Sequence, residues 1–218
     1  ADELRRRHPA LITCAISGYA ADGPSREMKS YDMLVQAESG LASITGSPDA
    51  PGRVGVSVCD IAAGMYAVQA VLLALYERKA SGQGKAIAVS LFDGMADWMT
   101  VPLLHQDYGG RAPGRVGLSH PSIAPYSAFP TQDGVLIVIS FQNEREWARF
   151  AAEILGDAAL ARQGPFTTND SRVKHRASLD ALVAARFRTE TGAALAARLL
   201  AAGIAFGRVN SVADLSRH

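Results

Sequence analysis

Cysteine is scarce: only Cys14 and Cys59 occur in 218 residues. Both sit inside apolar runs, which excludes a disulfide framework and predicts reduced thiols in a cytosolic protein. No Cys or His spacing fits a metal site. An excess of either charge is lacking too, with 22 basic and 21 acidic residues and a formal net charge of +1. That balance gives no electrostatic case for nucleic acid or an anionic membrane as partner. The longest apolar run, Ile61 to Tyr76, is broken by Gly64 and Gln69. It falls short of the ~20 apolar residues a bilayer requires. The opening "ADELRRRHPALI" is charged and helical in character, not a signal peptide. There is no Walker loop, no GxGxxG and no Ser-His-Asp order.

What is present is a hydrophobic content of 48%. That is enough to bury a sizeable core in one large or two small domains. The chain begins without Met and stops in "SVADLSRH", which reads as the first turn of a helix. A fragment of a longer polypeptide is therefore expected.

The pattern along the chain alternates between strand and helix. "LITCAIS" (Leu11 to Ser17) reads as a buried strand, and "GYAADGPSREMKSYD" as a loop. "MLVQAESGLASITG" predicts a short helix broken at Gly40, and "SPDAPGRVG" a second loop. From Asp60 a helix of about five turns runs to "KASGQG", where Gly82 and Gly84 stop it. It is apolar almost all round, so a buried helix is expected. "AIAVSL" is a strand, and "FDGMADWMTVPLLHQDY" a helix that Pro102 either kinks or ends. The Gly/Pro-rich stretch Gly109 to Pro125 is the best domain boundary.

Beyond it, "YSAFPTQDGVLIVISFQ" reads as two strands joined by a Gln-Asp-Gly turn. Amphipathic helices follow: one capped by Asn143 and stopped at Gly156, then two more around "NDSRVKHRASLDALVAARFR" and "TETGAALAARLLAAG". A short strand and the start of a helix capped by Ser211 close the chain. The fold class is α/β, with an α+β second half.

Asp60 is the residue with the sharpest question. It stands between apolar stretches in "GVSVCDIAAGMYA". A charge there either caps the helix or acts as a nucleophile or acid/base group, favoured by the helix N-terminus. Lys29, Tyr31 and Asp32 in "MKSYD" fit a solvated loop equally well.

"ISGYAADGPSREMKSYDMLVQAESGLASITG" and "VGVSVCDIAAGMYAVQAVLLALYERKASGQGKAIAVSLFDG" closely resemble the family III CoA-transferases. That group also contains 2-methylacyl-CoA racemases. The likeness continues through "SIAPYSAFPTQDG", "FTTNDSRVKHR" and "AGIAFGRVNSVADL". The resemblance implies the middle part of a longer, interlocked homodimeric subunit. Residues 1–110 would belong to a Rossmann-like large CoA-binding domain, 111–125 to a linker and 126–205 to a small α+β domain. Residues 206–218 would return toward the large domain.

The same resemblance places Asp60 at the position that forms covalent aspartyl intermediates. Lys29 matches a contact to CoA phosphate, and Tyr31, Asp32 and Gln36 match the substrate pocket. The racemases carry His where Tyr31 stands, and a Tyr pKa near 10 suits proton transfer poorly at neutral pH. That favours a transferase. "HPSIAPY" lacks the glycine run of the oxalate enzymes and looks more like members acting on dicarboxylates such as succinate or mesaconate. Arg115 and His120 lie near this loop and are expected to face a second carboxylate. Coenzyme A would enter as the thioester substrate, with no tightly bound cofactor. The alternatives are a racemase using Asp60 as acid/base and an inactive folded module.

Overall fold

β-branched and small residues at Thr13–Ser17 and Ala86–Ser90 form two strands, β1 and β2. They pair in parallel, from Thr13 opposite Ala86 to Ser17 opposite Ser90. Parallel neighbours need a crossover, and a helix supplies it here. The computed structural model describes residues 1–218, and its contacts divide the chain into two units, Ala1–Gly117 and Leu118–His218.

In the first unit, α1 (Asp2–Arg7) precedes β1. Then come α2 (Asp32–Glu38), α3 (Leu41–Ile44) and the crossover helix α4 (Val58–Ser81). After β2, α5 (Leu91–Trp98) and α6 (Thr100–Gly109) complete the unit. Gly40 adopts φ 83°, which separates α2 from α3, and Gly82 ends α4 at φ 67°. Both values favour glycine. The helix expected over Phe92 to Tyr108 is two helices that break at Met99. Pro102 falls in the first turn of α6, where its missing N–H costs nothing.

Two expectations of burial do not hold. Cys14 to Ser17 of β1 are exposed. α4 buries a stripe of small residues, Ala62, Ala63, Ala67 and Ala74, through which it approaches β2 and α5. Apart from Val58 and Tyr66, which pack on the buried cluster, large residues of α4 lie exposed: Ile61 is 50% exposed, Val68 and Leu72 60% each, and Tyr76 74%. The helix is apolar on both sides, but this chain covers only one of them. By length and composition α4 is also long enough to cross a bilayer, longer than the interrupted apolar run in the sequence implies. Here its alanine stripe serves as a core face. The buried cluster of this unit is small: Val35, Val58, Cys59, Ala62 and Met95.

The second unit has an antiparallel sheet in the order β3 (Ser127–Pro130), β4 (Leu136–Ile139), β5 (Phe206–Arg208). Residues 206–208 are thus its third strand, not part of a return connection. α7 (Glu144–Phe150) continues as a π turn to Leu155, and a 3₁₀ turn spans Ala158–Ala161. α8 (Asn169–Lys174), α9 (Arg176–Phe187), α10 (Gly192–Ala201) and α11 (Val212–Leu215) follow. The Asn143 side chain accepts from Glu146 N at 3.0 Å, capping α7. The core is dense and aromatic: Phe129, Phe141, Trp147, Phe150 and Phe187 pack with Ile137, Ile139, Leu179, Leu195 and Leu199.

Candidate active site

Because α4 links two parallel strands, it runs opposite to them. Its N-terminus therefore lies at the carboxyl end of the sheet, the edge where α/β folds bind ligands. Gly18 ends β1 there. A Cβ on Gly18 would sit 1.8 Å from Ser30 Oγ, so only glycine lets the "MKSYD" loop press against the end of the strand. The sequence thus brings Lys29, Tyr31 and Asp32 to one edge of the sheet.

The helix start differs from the sequence expectation. The N-cap of α4 is Ser57, not Asp60, and the Ser57 side chain makes no capping bond. Asp60 lies in the first turn, and it is exposed. The cap comes from Asp32. Its Oδ1 accepts Cys59 N–H at 2.8 Å, and its Oδ2 accepts from Gln36 Nε2 at 2.7 Å. Gln36 Oε1 in turn accepts Val54 N–H at 2.8 Å. Local sequence reasoning gives the cap to a residue of the helix itself, whereas here a residue 27 positions earlier supplies it. The legible signal was the Asp32–Gln36 spacing of four, which puts both on one face of α2.

The other predicted residues divide. Lys29 is exposed, and so is Tyr31, which stands at the N-cap of α2. The Arg115 guanidinium donates to three backbone carbonyls, Ser47 at 3.0 Å, Ser43 at 3.2 Å and Pro48 at 3.2 Å. It holds residues 43–48 together, and three of its five N–H groups are engaged in doing so. His120 belongs to the second unit. Its ring stacks on Tyr126 at 5.2 Å, and its Nδ1 accepts from Ser122 N at 3.2 Å. Burial, then the nearby Arg176 charge, lowers its pKa from the ordinary histidine value, which favours the neutral ring. An apolar cleft lined by Ile44, Met99, Pro102 and Leu103 contains none of the predicted site residues.

The electrostatics around the helix start show in Cys59. Burial, followed by the Asp32 charge, pushes its thiol up to about 12. At pH 8 only about one molecule in 10⁴ then carries the thiolate, the reactive form. A thiol reagent at pH 8 is expected to modify exposed Cys14 alone in the native chain, and both thiols after unfolding. Rapid native modification of Cys59 would mean that the first turn of α4 opens readily.

Known proteins resemble this chain in sequence and in fold. The model of the family described as CoA-transferase family III matches residues 1–218. The succinate–glutarate CoA-transferase of Agrobacterium fabrum is 37% identical over 183 residues, 84% of this chain and 45% of its own. The acetyl-CoA:oxalate CoA-transferase of Acetobacter aceti is 31% identical over 98% of this chain and 55% of its own. A crystal structure of a CAIB/BAIF family protein from Brucella suis superposes with a TM-score of 0.85 at 34% identity. It covers all of this chain, which in turn covers 57% of it. The chain spans about half the length of the curated relatives it matches. With the family model matched from end to end, this chain belongs to CoA-transferase family III.

Proposed function

We propose that the whole protein moves CoA from an acyl-CoA thioester to a free dicarboxylic acid through covalent intermediates on Asp60. The observation that carries this reading is the position of Asp60. It is an exposed carboxylate in the first turn of a 24-residue helix, at the ligand-binding edge of the sheet.

The chemistry balances without an outside energy source. An Asp60 oxygen attacks the thioester carbonyl, the C–S bond breaks, and CoA leaves as thiolate. The mixed anhydride is then attacked by that thiolate at the aspartyl carbonyl, which releases the donor acid and leaves an aspartyl-CoA thioester. The acceptor carboxylate attacks the aspartyl carbonyl, expelling the thiolate again. The thiolate takes the acceptor acyl group and frees Asp60. Lys29, an exposed flexible cation, is assigned to a CoA phosphate, and Tyr31 to the acyl pocket. The dicarboxylate class rests on the names of relatives, succinate and glutarate among them.

Residues 1–110 belong in this reading to the CoA-binding domain, and 126–205 to a small domain. The uncovered apolar face of α4 supports a larger assembly, read as an interlocked homodimer in the cytosol.

The test uses the full-length protein. It is incubated with succinyl-CoA, trapped with hydroxylamine or borohydride, and digested. The peptide spanning Gly55 to Arg78 is then weighed. A modified Asp60 that requires acyl-CoA is the expected result. An unmodified peptide across a panel of acyl-CoAs would return Asp60 to proton transfer and favour a racemase.

A further inference from the structure

We infer that Asp32 and Gln36 do not line the acyl pocket but form a positioning relay that fixes the backbone under Asp60. This rests on the reading of Asp60 as the nucleophile.

Three observations carry the inference. Both side chains are buried, Asp32 at 8% exposure and Gln36 at 0%, whereas the neighbouring Tyr31 is 73% exposed. Pocket residues must face substrate, and these two face the protein. Their polar atoms are also committed. Both Asp32 oxygens and both Gln36 amide atoms take part in the chain Cys59 N–H to Asp32 to Gln36 to Val54 N–H. Finally, Ser57 at the start of α4 makes no side-chain cap bond, so the Asp32 carboxylate is the side chain that caps this helix, through Cys59 N–H.

The consequence follows from geometry. Val54 and Cys59 bracket the segment that enters α4. The relay holds it at both ends, from a single helix turn of α2. Asp60 is the next residue after Cys59, so the same bonds set where its carboxylate projects. A buried carboxylate at a helix N-terminus is also favoured by the helix dipole. Nucleophilic attack tolerates little misplacement, with an error of about 1 Å costing roughly 10²-fold in rate.

The experiment takes the full-length enzyme with Asp32→Ala, Asp32→Asn and Gln36→Met. Steady-state kcat and KM are measured with succinyl-CoA, together with the single-turnover rate of Asp60 adduct formation. The relay predicts that Asp32→Ala slows adduct formation and kcat by about 10²-fold with KM within about threefold. Asp32→Asn keeps an oxygen for Cys59 N–H but sets its amide NH2 against the Gln36 Nε2 donor, so it recovers only part of that loss. Gln36→Met keeps the volume, frees Val54 N–H and slows kcat by about tenfold, which tests the relay should Asp32→Ala fail to fold. A pocket role predicts the opposite split, a raised KM with adduct formation unchanged and no rescue by Asn. That result, or unchanged kinetics in both Asp32→Ala and Gln36→Met, overturns the relay while leaving Asp60 as nucleophile. Failure of the wild type to form any Asp60 adduct overturns the nucleophile reading itself, and the relay with it.

Discussion

Asp60→Asn in the full-length protein is expected to lower kcat by at least about 10⁴-fold while leaving the fold intact. The two side chains have the same shape, but an amide is not a nucleophile toward a thioester. No other exposed carboxylate in the first turn of α4 can replace it, since Asp60 is the only acidic residue there. The cost to stability is small, because the side chain is exposed and its favourable interaction with the helix dipole is worth about 0.3–1 kcal/mol. The trapped adduct on the Gly55 to Arg78 peptide should vanish. Circular dichroism and the melting temperature report on the fold, and kcat together with adduct mass on the chemistry. Retention of more than a tenth of wild-type activity would remove Asp60 from the covalent path.

How far the sequence speaks for the structure depends on the range of the interaction concerned. Asn143 and Ser211 cap the helices that follow them, and Ser211 forms a full capping box with Asp214. Those bonds span three residues, so a local reading finds them. The strand–helix–strand pattern likewise yields the parallel β1–β2 pair. The start of α4 is different. Asp60 has the right residue type for a cap, but Asp32 occupies the position through a tertiary contact no local rule includes. The contacts of Arg115 are hidden for the same reason. Its isolation in sequence gives no hint that three carbonyls nearly 70 residues away would take its donors. The burial of α4 could not be read from periodicity at all. Apolarity all round says that both faces prefer cover, not that the same chain supplies it.

The second large effect lies in the other unit, at Arg172. Arg172→Met is expected to destabilise this unit by about 3 kcal/mol or more. The residue is 2% exposed, and its position in α8 gives no sequence sign of that. Its Nε donates to Ala124 O at 2.6 Å and its Nη1 to Phe166 O at 3.2 Å. Nη1 and Nη2 reach both oxygens of Glu144, at 2.6 and 3.2 Å, and the guanidinium lies 5.1 Å from the centre of the Trp147 ring. The ion pair is not the main contribution. Glu144 is 53% exposed, so water screens the charge and the attraction is worth at most about 1 kcal/mol. The larger loss is two carbonyls left without a donor, at roughly 1–3 kcal/mol each, beside an aromatic core that methionine only partly refills. Two variants separate these contributions. Glu144→Gln keeps the carbonyl bonds and should cost about 1 kcal/mol or less, whereas Arg172→Met removes them. Urea unfolding followed by tryptophan fluorescence in a Trp98→Phe background, where Trp147 is the one emitter, measures both. Equal losses in the two variants would show that the ion pair, not the carbonyl bonds, carries the stability. A loss below about 1 kcal/mol for Arg172→Met would mean that water replaces the guanidinium at both carbonyls.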